Sequence, residues 1–218
     1  MNQTISIKSA EFISSNSNVS KCPSSVFPEY AFIGRSNVGK SSLINMLCQK
    51  KKLAKVSNKP GKTKLINHFL INGNTNFAHN EKNAGQPWYL VDLPGYGYAG
   101  VSKVEKEAWK NWFADYFIKR ENLMCAFILI DSRIPAQKID MEFMRWLGEK
   151  KVPFSMVFTK SDKLSTNAVI KNISVYKREM MQWWEELPHL FITSSINNKG
   201  RDELIWFINE TNKTWKHV

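Results

Sequence analysis

Short apolar runs alternate with polar stretches of helical periodicity along this chain. The runs Tyr30–Ile33, Leu65–Ile71, Trp88–Asp92, Cys125–Asp131, Phe154–Thr159 and Leu190–Thr193 are rich in β-branched and aromatic residues. They are too brief for helices and read as strands. Between them, Lys40–Gln49, Lys103–Lys119, Lys138–Lys150, Ala168–Glu186 and Asp202–Lys213 read as helices. The helix from Lys103 carries Trp109, Trp112, Phe113, Tyr116 and Phe117 at i, i+3, i+4, i+7 and i+8, an apolar stripe expected to pack in the core. The last helix repeats the pattern with Leu204, Phe207, Ile208 and Thr211. Strands alternating with helices predict an α/β domain around a mostly parallel sheet. Asn72-Gly73 is a turn signal that points to a hairpin into the next strand, so one strand is expected to run antiparallel to the rest. Ile5–Ile13 is ambiguous and could form an edge strand.

Composition narrows the class. The chain has 218 residues, 43% apolar and 12% aromatic, enough for one domain with a sizeable core. The expected layout is an N-terminal extension over 1–25, one domain over 26–213 and a basic tail over 214–218. No apolar run reaches the roughly 18 residues of a membrane span. The opening "MNQTISIKSAEFISS" lacks the apolar core of a secretory signal. The widely spaced Cys22, Cys48 and Cys125 fit reduced thiols, with Cys125 in the core. These features favour a cytoplasmic protein, and a monomer is expected.

Charge says more. The 31 Lys and Arg against 19 Asp and Glu give a net charge of +12. No acidic residue occurs between Tyr30 and Asn80, where Arg35, Lys40, Lys50, Lys51, Lys52, Lys55, Lys59, Lys62 and Lys64 all fall. A merely solvated basic face is one explanation. A polyanionic partner explains the density better, because like charges repel until neutralised. A nucleotide could engage only a few of these groups, so the surplus points to nucleic acid, with Lys50, Lys51, Lys52 and Lys55 as candidate RNA contacts.

The sharpest motif is "GRSNVGKSS", Gly34–Ser42, directly after a strand and before a helix. It matches the phosphate-binding pattern G-x-x-x-x-G-K-[ST]. Gly34, Arg35, Ser36, Asn37, Val38, Gly39, Lys40, Ser41 and Ser42 would surround phosphate oxygens with backbone N–H groups at a helix N-terminus. Lys40 would reach the β- and γ-phosphates and Ser41 would bind Mg²⁺. "DLPG" ends the next parallel strand. Asp92 fits a Mg²⁺ carboxylate acting through water, Leu93 and Pro94 shape the turn, and the Gly95 amide would sense the γ-phosphate. In "NKPGKTK", Gly61 and Lys62 lead to Thr63, a second candidate Mg²⁺ ligand on a loop that a γ-phosphate could order.

Base recognition falls to "TKSD", Thr159–Asp162. A carboxylate at Asp162 accepts hydrogen bonds from guanine N1–H and the 2-amino group. Adenine offers neither, and a buried unpaired carboxylate rejects it. Lys160 would lay its stem over the ring. Thr159 stands where Asn is commoner, keeping a hydroxyl for the loop, and Ser161 completes it. In "TSSINNKG", Thr193, Ser194 and Ser195 follow the last strand; Ser194 could brace the base loop and the Ser195 amide could meet guanine O6.

Taken together, "GRSNVGKSSLIN", "PGKTK", "VDLPGYGYA", "TKSD" and "TSSINNKG" resemble the EngB (YihA/YsxC) family of bacterial GTPases, over about Glu29 to Phe207. The resemblance implies a Ras-like fold with six strands, the second antiparallel, and helices on both faces. It implies Mg²⁺-dependent GTP and GDP binding, slow hydrolysis, and a role in large-ribosomal-subunit assembly with a septation phenotype. Ribosomal RNA of precursor particles is then the expected polyanion. Where many such enzymes carry a water-orienting Gln after the DxxG glycine, this chain has Tyr96. Tyr96 and Tyr98, on a glycine-loosened segment, are expected at a switch surface. Asn37 would hold a K⁺ near the β/γ bridge, or else only cap its loop, and Arg35 is an alternative source of positive charge. Two other functions compete. An ATP-using P-loop kinase is disfavoured by Asp162, and a nonenzymatic RNA-binding scaffold by the intact Lys40, Ser41, Thr63 and Asp92.

Overall fold

The computed structural model describes residues 6–54, 65–73, 86–96 and 103–216, with the backbone alone over 103–110. The strands are β1 (Ala10–Asn16), β2 (Glu29–Gly34), β3 (Ile66–Ile71), β4 (Trp88–Asp92), β5 (Leu123–Asp131), β6 (Phe154–Thr159) and β7 (Leu190–Ile192). The helices are α1 (Lys40–Leu47), α2 (Lys103–Lys119), α3 (Lys138–Glu149), α4 (Thr166–Met180) and α5 (Arg201–Asn212). One seven-stranded sheet runs β1-β3-β4-β2-β5-β6-β7.

Every neighbouring pair is parallel except the two made by β3, so β3 alone runs against the others. The expected antiparallel strand is therefore present, but Asn72-Gly73 is not a two-residue hairpin. Asn72 takes a left-handed backbone, and the Lys8 amide donates to its Oδ1 while its own amide donates to the Ser9 carbonyl. Residues 74–85 of the connection to β4 lie outside the described residues. The seventh strand is the N-terminal one, displaced toward the C-terminus from the expected Ile5–Ile13, with a bulge between Phe12 and Ser14.

Strict period-two alternation divides the core between the two faces. Tyr30 and Phe32 of β2, with Cys125, Phe127 and Leu129 of β5, pack under α1 and α5. Ala31 and Ile33, with Ala126, Ile128 and Ile130, pack under α2, α3 and α4. The predicted stripe of α2 buries Phe113, Tyr116 and Phe117 in that second face; the Trp109 side chain lies outside the described residues. Because β2, β4, β5, β6 and β7 are parallel, the loops that follow them emerge on one edge. The order reverses at β2, which lies between β4 and β5, and such a crevice is where open α/β sheets bind ligands.

Candidate functional site

The phosphate loop leaves β2 at Gly34 and enters α1 at Lys40. A side chain at Gly34 would meet the Leu129 carbonyl at 2.7 Å, so the strand packs too closely for any other residue. Asn37 and Gly39 have left-handed backbones, with φ 62° and 101°. Gly39 caps α1 with no side-chain hydrogen bond, so the amides of the first turn remain for an anion. At the other end of α1, the buried Arg201 guanidinium donates through Nε to the Met46 and Leu47 carbonyls. Arg201 is set there by Gly200, whose left-handed backbone lies where a Cβ would strike the Ile192 carbonyl.

β4 brings Asp92 alongside this loop, and Lys40 Nζ forms an ion pair with Asp92 Oδ1. Gly95 lies against the phosphate loop itself, since a Cβ there would approach the Gly34 carbonyl to 2.7 Å. Ser41 in the first turn of α1 and Asp92 at the end of β4 supply oxygen donors only, a set that suits the hard Mg²⁺. Thr63, Gly61 and Lys62 lie outside the described residues. Among the described residues no group of three or more His, Cys, Asp or Glu could hold a metal.

The base loop is physically tied to the phosphate loop. Thr159 Oγ1 donates to the Val38 carbonyl at 2.6 Å and also approaches the Ile130 carbonyl at 3.2 Å. Lys160, in a left-handed backbone, sends Nζ to the Asn37 carbonyl and to Asp131 Oδ2 at 3.0 Å. Its stem passes over Gly39, where an added Cβ would lie 3.5 Å from Lys160 Cε. Ser194 Oγ donates to Asp162 Oδ1 at 2.7 Å, and Lys163 approaches Asp162 Oδ2 at 3.4 Å. The Ser194 hydroxyl and this lysine hold the Asp162 carboxyl below its usual range. Thr193 is buried, its carbonyl accepting the Ser161 amide, whereas Ser195 is exposed.

Asp131 belongs to none of the motifs, yet it anchors Lys160 and takes two further bonds from the Arg133 guanidinium. Burial would raise its pKa, but hydrogen bonds from Arg133 and Lys160 lower it to about 2. Its signal in the sequence is positional: like Asp92, it is the carboxylate that ends a central strand.

Two expectations change. Tyr96 is not at a surface: it is 6% exposed, stacked on Phe143 at 4.5 Å, and its hydroxyl donates to Asp140 Oδ1 at 2.9 Å. Tyr96 shares a buried cluster with Phe113 and Phe117 of α2, and removing its ring from water favours that place over the surface. Tyr98 lies outside the described residues. Arg35 is not a free charge over the phosphates, because its Nε donates to the same Asp140 oxygen at 3.1 Å. Lys50, also exposed, donates through Nζ to the Ala10 carbonyl of β1 at 2.6 Å, a neutral acceptor that leaves its charge at the surface. Lys51 and Lys52 are exposed on the same loop, which Asn45 holds by bonds to both the amide and the carbonyl of Ala54. Lys55 lies outside the described residues.

A family model described as 50S ribosome-binding GTPase matches residues 29–160. The chain is 56% identical over 208 residues to the probable GTP-binding protein EngB of Christiangramia forsetii, covering 95% of this chain and 98% of that protein. It is 55% identical over 207 residues to the protein of the same description from Bacteroides thetaiotaomicron, covering 95% and 96%. Among solved structures, a probable GTP-binding protein EngB superposes with TM-score 0.53 at 22% identity, over 86% of this chain and all of that one. A variant of Aquifex aeolicus Era bound to GDP and AlF4⁻ superposes with TM-score 0.66 at 21% identity, over 85% of this chain and 56% of that one. At such identities the superpositions establish the Ras-like fold.

Proposed function

The chain belongs to the EngB family of GTP-binding proteins, and on that footing we propose that it is a slow, Mg²⁺-dependent GTPase switch for assembling the large ribosomal subunit. The observation that carries this reading is the joining of base reader to phosphate reader. Thr159 and Lys160 are bonded to the carbonyls of Val38 and Asn37, and Ser194 fixes the Asp162 carboxylate beside them. A guanine held at Asp162 would thus be in register with phosphates held at Gly34–Ser42 before the ligand arrives, so little ordering remains to be done on binding.

In this reading Ser41, Thr63 and Asp92 would hold Mg²⁺, Asp92 through water, and the ion would supply positive charge to neutralise the phosphates. Lys40, paired with Asp92, exchanges that partner for phosphate oxygens. Gly95 presents its amide to the γ-phosphate. Asn37, exposed at the tip of the loop, would hold K⁺ where an arginine would otherwise act; equal turnover in KCl and NaCl at one ionic strength would remove that role. Lys50, Lys51, Lys52 and Lys55 contact ribosomal RNA. The cytoplasm is the compartment of such a task, and septation defects on depletion are its expected consequence. Among the described residues, no helix is long and apolar enough to cross a membrane.

Asp162→Asn tests the base assignment: preference should move from guanine to xanthine nucleotides, and unchanged GTP affinity would contradict it. Co-sedimentation with large-subunit precursors tests the partner. Binding should differ between a GTP analogue and GDP. Neutralising Lys51 and Lys52 should weaken it and flatten its salt dependence, by roughly one unit of slope for each phosphate no longer neutralised. Particle binding that ignores both nucleotide and lysines would refute the assembly role.

A further inference from the structure

Asp140 lies in the first turn of α3, wholly buried, and accepts three donors. Arg35 Nε, from the phosphate loop, reaches Oδ1 at 3.1 Å. The Tyr96 hydroxyl, from the residue after Gly95, reaches the same oxygen at 2.9 Å. The Tyr176 hydroxyl, from α4, reaches Oδ2 at 3.1 Å. The two loops also touch directly through a parallel bridge between Arg35 and Tyr96. One carboxylate therefore holds both loops from beneath, and the residue it holds in the second loop adjoins the glycine packed on Gly34.

We propose that Asp140 is a positioning residue for GTP hydrolysis, holding Tyr96 and Arg35 so that the Gly95 amide is set against the phosphate loop where a γ-phosphate arrives. Tyr96 thus replaces the usual Gln in place but not in role. It does not touch the attacking water; it fixes the backbone that does the sensing. The ring is held by its stack on Phe143, but a ring in a pocket can slide in its own plane, and the hydroxyl bond to Asp140 removes that freedom. The inference rests on the reading of Gly95 as the γ-phosphate sensor.

The discriminating pair is Tyr96→Phe and Tyr176→Phe. Each deletes one buried hydroxyl that bonds Asp140 and keeps its ring, so a purely structural role predicts the same result for both. Only Tyr96 belongs to a nucleotide loop. In single-turnover assays, Tyr96→Phe should hydrolyse GTP about tenfold more slowly than wild type, the scale of one lost positioning bond to a charged group. Its GDP affinity should stay within about twofold, because GDP makes no demand on Gly95. Tyr176→Phe should stay within about twofold of wild type in both measurements, although both variants lower the melting temperature to a similar degree. Asp140→Asn, where it folds, should slow hydrolysis at least as much as Tyr96→Phe. Equal hydrolysis rates for the two phenylalanine variants would overturn the inference. Wild-type protein that releases no phosphate from GTP would instead fault the hydrolase reading beneath it.

Discussion

Two wholly buried carboxylates, Glu29 and Asp140, are built from the same kinds of partner and end in opposite balances. Glu29 opens β2 at the edge of the sheet remote from the nucleotide loops. Arg120 grips it through Nη2 at 2.6 Å and Nε at 3.3 Å, Tyr116 donates to Oε1, and His68 Nε2 lies 3.3 Å from Oε2. Burial works against ionisation there, but His68 and Arg120 overcome it and lower the pKa to about 2. Asp140 has one guanidinium bond, from an Arg35 side chain that is 22% exposed, and two phenols. Burial prevails over these partners, and its pKa is raised. A two-pronged guanidinium reaching over from the end of α2 locks the base of the sheet. A one-pronged contact ties the other carboxylate to the loop that carries Arg35. The contrast sets a fully paired carboxylate at the base of the sheet against a less fully paired one beneath two loops.

The most severe challenge to this contrast is Glu29→Gln. It leaves the Arg120 charge buried without its counter-ion, and the expected loss is about 3–5 kcal/mol in chemical denaturation. The ratio of GTP to GDP affinity should not change. A shifted ratio with intact stability would show that the base of the sheet also answers to nucleotide.

Acid unfolding separates the two carboxylates by sign. The Glu29 pKa is lower in the folded protein than in the unfolded chain, so its contribution is fully present above about pH 5 and is lost as pH falls toward 2. Asp140, with a raised folded pKa, contributes in the opposite sense. Stability measured against pH should therefore fall on acidification in wild type and fall less in Glu29→Gln. Parallel curves would place the sensitive carboxylate elsewhere.

The mildest change is expected from Thr159→Val, which deletes the hydroxyl bond to the Val38 carbonyl at the loop end without touching Asp140. About 1 kcal/mol of stability should be lost. GTP and GDP affinities should fall by the same factor in calorimetric titrations, since on the proposed reading both nucleotides use the base and phosphate loops. A selective loss for GTP would mean that γ-phosphate sensing reaches further than the web around Asp140.

Much of this molecule is legible in the linear pattern. Among the described residues, six of the seven strands and all five helices fall where periodicity places them, within two residues at their ends, except that α4 stops at Met180, six residues short of the expected Glu186. Gly39, Lys40 and Ser41 form the loop that "GRSNVGKSS" demands, because the loop's backbone geometry is dictated by residues within a few positions of one another. Asp162 and Ser194 are more distant, but each follows a recognisable strand, and parallel strands in one sheet must end on the same edge. The seventh strand is ambiguous in sequence since an edge strand with exposed polar residues buries little, and its place is decided by pairing to β3.

Tyr96 shows where local reading stops. Surrounded by glycines, it has the sequence context of an exposed, mobile segment. Its burial depends on Asp140, Phe143 and Tyr176, which arrive from helices much later in the chain. Arg35 and Lys50 are likewise countable as positive charges, but their directions are set by Asp140 and by the Ala10 carbonyl. The elements, the Gly34–Ser42 loop and the place of Asp162 after a strand follow from local spacing, so the linear chain carries them unaided. Which charges face a ligand and which are spent within the fold is settled in three dimensions, because it depends on contacts between helices and loops that no local pattern encodes.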